Sequence, residues 1–152
     1  MGEPTTADLL PAEAITLGAE AADWRAAVAA AGERLVATGA ATPAYTDEMV
    51  HTVEEHGPYI VLAPGLALAH ARPSPSVLRT GLSLVTLAAP VEFGHAANDP
   101  VRLVIGLAAV DADQHTGALA RLARVLADDA RRAALTDAAS AAEARDLLTG
   151  AA

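Results

Sequence analysis

The chain has 152 residues, no cysteine and a formal net charge of −9 at neutral pH. This length suits a single domain with a substantial core, so we expect residues 1–152 to form one domain. The lack of cysteine excludes disulfides, thiolate metal sites and cysteine nucleophiles. The negative charge argues against nucleic acid or an anionic membrane as partner, because both need clustered Lys and Arg.

Apolar residues make up 53% of the chain, but aromatic residues only 3%, so the core must be built mainly from Ala, Leu and Val. No segment approaches the roughly 18 unbroken apolar residues of a membrane-spanning helix, and we expect no direct membrane insertion. The segment Met1–Asp8 lacks the basic start and apolar run of a signal peptide. We therefore expect a cytoplasmic protein.

The first third of the chain predicts one short strand and two helices. The strand candidate is Ala14–Leu17. Apolar residues at helical spacing predict a helix over Ala22–Thr38, which Gly39 is placed to end. Thr42–Pro43 matches an N-cap followed by the first helical position. A second helix is therefore expected from there to the stop signal Gly57–Pro58.

Short apolar segments in the middle of the chain predict the remaining strands. Tyr59–Leu62 and Leu66–Ala69 are two of them, and the second leads directly into His70. Gly81–Leu87 alternates apolar and small polar residues, which is typical of a half-buried strand. Leu103–Val110 is nearly all apolar, which is typical of a central strand covered on both faces.

Helical signals dominate the rest of the chain. Asp111–Asp113 begins a helix that carries His115 in its first turn, and Asp128–Leu135 predicts a further short helix. Ser140–Glu143 matches the capping box of a last helix, which we expect to end at Gly150. Helices and strands thus intermix along the sequence, and one α/β layered domain is the natural arrangement.

Five histidines are the side chains best suited to titrate near neutral pH. His51 and His56 lie on or near the end of the second predicted helix, and we interpret them as favourable partners of the helix dipole. His95 lies in a polar, turn-rich segment, Ala89–Pro100, and we interpret it as a solvated surface residue. The other two histidines are the candidate site residues.

His70 and His115 each follow a predicted strand. Arg72 places a planar cation two residues beyond His70. His115 lies near a helix N-terminus, where free amides and the helix dipole favour an anion. If both strands end at the same edge of the sheet, these residues would form a phosphoryl-binding pocket. The alternatives are ordinary structural histidines, or a His–His–acid metal site, although no HxH or HxxxH pair supports the latter.

The sequence offers no sign of a nucleotide-binding loop or of a serine nucleophile. Neither GxGxxG nor GxxxxGK[ST] occurs, and no Ser lies in a GxSxG pattern. A nucleotide-dependent kinase is therefore poorly supported. Any phosphoryl group handled by His70 would come from another protein.

The segment Glu54–Pro73 resembles the phosphorylation-site region of the EIIA components of the bacterial phosphoenolpyruvate-dependent sugar phosphotransferase system. It is most similar to the ascorbate branch of the mannitol/fructose-type EIIA family. The resemblance covers essentially the whole chain and continues through Thr80–Leu87, Pro90–Gly94, Asn98–Val101 and Ala108–His115. It implies a mixed β-sheet with helices on both faces, a three-layer α/β/α fold.

The resemblance also implies a role for each candidate histidine. His70 would accept a phosphoryl group from phospho-HPr on Nε2, forming a tele-phosphohistidine, and pass it to a cysteine of EIIB. His115 would hydrogen-bond the phosphoryl group and orient it. EIIB would connect the protein to the membrane component EIIC. We expect no cofactor and no metal, and monomer or homodimer stays open.

Two positions depart from the pattern of this family. Ala69 stands where many relatives have Pro, and the mannitol branch carries an arginine near the place that Thr52 holds here. The alternatives to a transport phosphocarrier are a regulatory EIIA-like phosphoprotein and a non-catalytic binding domain of an anion transporter with the same fold. Whether the sugar is ascorbate, a related sugar acid or another sugar is not decided by these residues, because the membrane component selects it.

Overall fold

The computed structural model of the protein describes residues 6–149. The strands are β1 (Ile15–Ala19), β2 (Val61–Ala63), β3 (Leu66–His70), β4 (Gly81–Val91) and β5 (Val101–Ala108). The helices are α1 (Thr6–Leu9), α2 (Trp24–Ala37), α3 (Pro43–His56), α4 (Ala112–Leu126), α5 (Asp129–Thr136) and α6 (Ala141–Thr149). The predicted elements are confirmed in kind and order, with bounds shifted by a few residues.

The strands form one mixed sheet in the order β1-β4-β5-β3-β2. β1 pairs with β4 in parallel, and so does β3 with β5, whereas the β4–β5 and β2–β3 pairs are antiparallel. The β3–β5 register runs from Leu66 opposite Leu103 to His70 opposite Leu107. Parallel neighbours end at the same edge of a sheet, so the chain following β3 lies beside the chain following β5.

Two apolar clusters, one on each face of the sheet, form the core. On one face Ala67 and Ala69 pack with residues of α2 and α3 such as Leu35. On the other face Leu66 and Leu68 belong to a cluster that includes residues of α1, α4, α5 and α6. The predicted three-layer α/β/α fold is therefore confirmed. Within residues 6–149, no helix is both long and apolar enough to cross a membrane.

The interpretation of β4 as a half-buried strand is wrong. All residues of Gly81–Leu87 are buried, because helices cover both faces. The polar residues that suggested an exposed face are hydrogen-bonded internally. Ser83 donates to the carbonyl of Ala31 in α2 at 2.8 Å, and the hydroxyl of Thr86 accepts from the amide of Gly18 at 2.9 Å. The strand also continues to Val91, into the segment expected to be a loop.

The helix ends mostly follow the capping residues in the sequence. Asp111, Asp128 and Ser140 each accept a hydrogen bond from a backbone amide three residues ahead, at 2.8 to 3.1 Å. Thr42 holds the N-cap position of α3, but its side chain makes no capping bond within the described part of the chain. The expected helix stop at Gly150 lies outside the described residues.

Candidate functional site

The structure brings His70 and His115 together. His70 is the last residue of β3, and His115 lies in the first turn of α4, the helix that follows the neighbouring strand β5. Their ring centroids are 5.4 Å apart, and the ring planes meet at 61°. The condition set by the sequence, that both strands end at one edge, is met by the parallel β3–β5 pairing.

A backbone hydrogen bond sets the tautomer of His70. Its Nδ1 lies 2.8 Å from the carbonyl oxygen of Leu68. Because a carbonyl oxygen can only accept, Nδ1 carries the proton and donates, which leaves a lone pair on Nε2. Burial lowers the pKa of His70, and the bond to Leu68 offsets this only in part. The neutral ring therefore has its nucleophilic nitrogen on the side opposite the anchored one.

His115 has unused hydrogen-bonding capacity. Its Nδ1 is buried and has no hydrogen-bond partner among residues 6–149. Burial, and then repulsion from the positive form of His70, lower the pKa of His115. The ring also lies at the N-terminal end of α4, where the helix dipole favours an anion. His115 is thus a neutral hydrogen-bonding group placed where negative charge is stabilised.

Both histidines line an open cleft of about 710 Å³. Its walls come from the C-terminal half of α3, from the chain that follows β3 and from the first turn of α4. Hydroxyl groups of Ser and Thr contribute to the lining. The ionisable lining residues are Glu48, His51, Glu55, His56, Tyr59, His70, Arg72 and His115. This set combines a candidate nucleophile, hydrogen-bond donors and one guanidinium group, which suits a phosphoryl group.

Tyr59 forms a wall beside His70. Its ring centroid lies 5.7 Å from that of His70, edge to face. Tyr59 was predicted as part of a strand, but it precedes β2, and 44% of its surface is exposed. Burial raises the pKa of its hydroxyl, and the positive charge of Arg72 opposes that rise. An aromatic surface thus adjoins the candidate nucleophile.

Tyr45 was missed by sequence reasoning. This buried residue of α3 reaches the backbone just beyond His70, where its hydroxyl accepts a hydrogen bond from the amide of Ala71. The same hydroxyl donates to the carbonyl of Leu107 at 2.8 Å. Burial raises the pKa of Tyr45 to about 12, so the phenol stays protonated. No sequence signal marks it, because its partners are backbone atoms far along the chain.

The other three histidines differ in their surroundings. His51 and His56 are exposed at the rim of the cleft, and Nε2 of His51 lies 3.2 Å from a carboxylate oxygen of Glu55. The interpretation of His95 as a solvated residue is wrong. Its side chain is half-buried, and its Nδ1 accepts a hydrogen bond from the amide of Asn98 at 3.1 Å. It shapes the loop before β5 and lies outside the cleft.

The two positions that depart from the family pattern lie close to the site. Thr52 lines the cleft, and its hydroxyl donates to the carbonyl of Glu48 at 2.8 Å, one helical turn earlier. Ala69 is fully buried on the face covered by α2 and α3. In the described part of the chain, no group of three or more His, Cys, Asp or Glu side chains could hold a metal ion.

Residues 8–150 match the family model described as the phosphoenolpyruvate-dependent sugar phosphotransferase system, EIIA 2. The chain is 50% identical over 103 residues to the ascorbate-specific EIIA component of Shigella boydii serotype 4, strain Sb227; the match covers 68% of this chain and 67% of that protein.

Two solved structures are also similar to this fold. One is the solution structure of the mannitol-specific cryptic enzyme IIA CmtB from Escherichia coli. It has a TM-score of 0.85 and 32% identity, and the match covers 95% of this chain and 98% of that one. The other is the complex of enzyme IIA for mannitol with phosphorylated enzyme IIB from Escherichia coli. It has a TM-score of 0.82 and 31% identity, and the match covers 93% of this chain and 99% of that one.

The fold and the family match together define a protein of the phosphocarrier type. The chain belongs to the EIIA 2 family of the sugar phosphotransferase system. The resemblance stated from the sequence is therefore confirmed, together with the fold that it implied.

Proposed function

We propose that this protein is a phosphocarrier that accepts a phosphoryl group from phospho-HPr on Nε2 of His70 and passes it to a cysteine of EIIB. The observation that carries this proposal is the bond from Nδ1 of His70 to the carbonyl of Leu68. It supports the proposal because it leaves the lone pair of the neutral ring on Nε2. Burial keeps that ring neutral, and therefore reactive, near neutral pH.

Each transfer step exchanges one bond to phosphorus for another. In the first, the Nε2 lone pair attacks the phosphorus, the P–N bond to the donor breaks, and the donor histidine of HPr keeps that electron pair. The His70 ring, with Nδ1 protonated and Nε2 phosphorylated, then carries positive charge. The Leu68 carbonyl stabilises this charge by accepting from Nδ1. In the second step, the EIIB thiolate attacks the same phosphorus and the Nε2 electron pair returns to His70.

His115 serves as the group that orients the phosphoryl oxygens. Its ring is 5.4 Å from that of His70, and it stands at the positive end of α4. A neutral imidazole can donate one hydrogen bond to a phosphoryl oxygen. Positioning and charge neutralisation are the main requirements of phosphoryl transfer, so His115 can contribute by positioning, without acid–base chemistry.

The relatives support the partner and the substrate class. A similar mannitol IIA has been solved in complex with phosphorylated IIB, which supports EIIB as acceptor. Similarity to an ascorbate-specific EIIA component supports a role in uptake of ascorbate or a related sugar acid, with EIIC as the membrane component. We propose that the protein acts in the cytoplasm, where HPr is found. The paired histidines argue against a non-catalytic binding domain.

The test is intact-mass spectrometry after incubation with phosphoenolpyruvate, Enzyme I and HPr, without acid in the work-up. We expect one added phosphoryl group on the wild type and none on His70→Ala. His51→Ala is the matched control, because His51 is an exposed histidine of the same cleft. Addition of the cognate EIIB should then remove the phosphoryl group. A folded wild type that stays unphosphorylated would contradict the proposal, and phosphorylation without transfer to EIIB would favour a regulatory role.

A further inference from the structure

We infer that Arg72 is the cation that binds the phosphoryl group on His70. This inference rests on the proposed function and assigns a further residue to it. The guanidinium group would donate to two phosphoryl oxygens as a planar fork and neutralise part of their charge.

Arg72 lies two residues beyond His70, the last residue of β3. Within β3, Leu66 and Leu68 alternate with Ala67 and Ala69 and pack on the face that α4 covers. The intervening Ala71 is held at its amide by the hydroxyl of Tyr45. Arg72 therefore starts from a fixed point beside His70, and it lines the same cleft.

Arg72 is the only Lys or Arg among the residues that line the cleft. Helix α3, which forms one wall, contains no Lys or Arg at all. Thr52 of the same wall is no substitute, because its hydroxyl is bonded to its own helix. Any guanidinium that reaches the phosphoryl group from the cleft lining must therefore come from Arg72.

The guanidinium group of Arg72 is also available. Within residues 6–149, Arg72 forms no hydrogen bond or ion pair, and it is exposed. The two carboxylates of the cleft are engaged elsewhere, since Glu48 accepts from Ser74 at 2.7 Å and Glu55 lies against His51. Recruiting Arg72 to a bound anion therefore breaks no existing hydrogen bond or ion pair.

The charge of the phosphoryl group makes such a cation necessary. A phosphoryl group carries about 1.5 to 2 negative charges at neutral pH. His115 can donate a hydrogen bond, but its pKa is lowered by burial, so it brings no full positive charge. Glu48 and Glu55 add negative charge to the same cleft. Arg72 is the group that offsets it.

The first measurement needs no protein partner. Wild type and Arg72→Gln are phosphorylated with phosphoramidate, whose P–N bond breaks as ammonia leaves, and the phosphohistidine is titrated by ³¹P NMR. Removing an adjacent cation should raise the second pKa of the phosphoryl group by about 1 unit. The second pKa of the phosphoryl group in Arg72→Lys should lie between the values of the wild type and Arg72→Gln. Arg124→Gln is the matched control, because Arg124 is exposed on α4 outside the cleft.

The second measurement is the equilibrium of phosphoryl exchange with HPr. We expect Arg72→Gln to lower the equilibrium constant for phosphorylating this protein about tenfold, because a charge-assisted contact to the product is lost. Arg124→Gln should leave it unchanged. If Arg72 only contacts the partner protein, forward and reverse rates fall equally, and the equilibrium constant and the ³¹P pKa stay at wild-type values. That result would overturn the inference, whereas a wild type that HPr cannot phosphorylate would count against the proposed function instead.

Discussion

The backbone amide of Ala71 donates a hydrogen bond to the hydroxyl of Tyr45 at 3.0 Å, one residue beyond His70. The same hydroxyl donates to the carbonyl of Leu107, which lies opposite His70 in the β3–β5 register. The phenol thus joins the two strands where their direct pairing ends. It fixes the backbone that carries His70 relative to β5 and, through β5, to the start of α4.

Replacing Tyr45 by Phe should affect both stability and phosphoryl transfer. The change leaves a buried amide and a buried carbonyl without this partner, so we expect the free energy of unfolding to fall by about 1–3 kcal/mol. We also expect slower phosphorylation of His70, because its backbone is released from β5. Urea unfolding and the initial rate of phosphorylation by phospho-HPr measure the two effects.

Ser83→Ala is the control for Tyr45→Phe. Ser83 also carries a buried hydroxyl, bonded to the carbonyl of Ala31, but it lies outside the cleft. It should lower stability by a similar amount without changing the rate of phosphorylation. If both variants slow phosphorylation equally, Tyr45 acts only through general stability and its positioning role is wrong.

The pH dependence of stability follows from the buried histidines. Burial lowers the pKa of His70 and His115 in the folded protein, whereas a histidine in the unfolded chain has a pKa of about 6.5. Below that pH the unfolded chain binds more protons than the folded protein. The contribution of these two histidines to the free energy of unfolding is therefore complete above about pH 6.5. It is lost as the pH drops toward their folded pKa values.

Urea unfolding at about pH 7.5 and at about pH 5 measures this change in the free energy of unfolding. Between these conditions the wild type should lose more stability than a double variant carrying His70→Gln and His115→Gln. NMR titration of the two rings should give pKa values below the ordinary histidine value of about 6.5. Equal losses for wild type and double variant would show that the two histidines do not resist protonation in the fold.

Replacing His115 should weaken phosphoryl transfer without removing the acceptor. We expect His115→Ala to slow phosphorylation of His70 about tenfold, since one hydrogen bond to a charged group is lost. His115→Asn keeps a donor and should recover part of the rate. His56→Ala is the control, because His56 is an exposed histidine at the rim of the same cleft. A wild-type rate for His115→Ala would exclude its orienting role.

The two candidate histidines could be found from the sequence because each stands at the boundary of a recognisable element. His70 ends an apolar segment, and His115 follows the capping residue Asp111. The pattern alone did not show that they meet, because this depends on the parallel pairing of β3 with β5. Pairing partners are chosen by the whole sheet and leave no local signal.

The misread features share a physical cause. Ser83 looked like a solvent-facing residue of β4, yet its hydroxyl is bonded to a helix carbonyl 52 residues away. His95 looked like a surface residue, yet its ring accepts a backbone hydrogen bond in its own loop. A polar residue in a sequence reveals hydrogen-bonding capacity but not whether water or the protein satisfies it. Only the fold decides between the two.

The contact between α2 and the sheet gives a last prediction, on stability alone. Gly106 of β5 lies opposite Ser83 in the antiparallel β4–β5 register, beneath α2. A Cβ atom at this position would overlap the Ser83 hydroxyl and press on Ala31 and Leu35, each at 3.3 Å. Gly106→Ala should therefore lower the free energy of unfolding by about 1–3 kcal/mol, as overpacking of a core does.

A compensating change distinguishes this overlap from a general intolerance of β5. Combining Gly106→Ala with Ser83→Gly removes the hydroxyl that a new methyl group would meet. The double variant should lose less free energy of unfolding than the two single variants lose in sum, because the clash is absent in it. Urea unfolding of the four proteins in this cycle gives the coupling. Strict additivity would mean that the helix, and not Ser83, limits the space above Gly106.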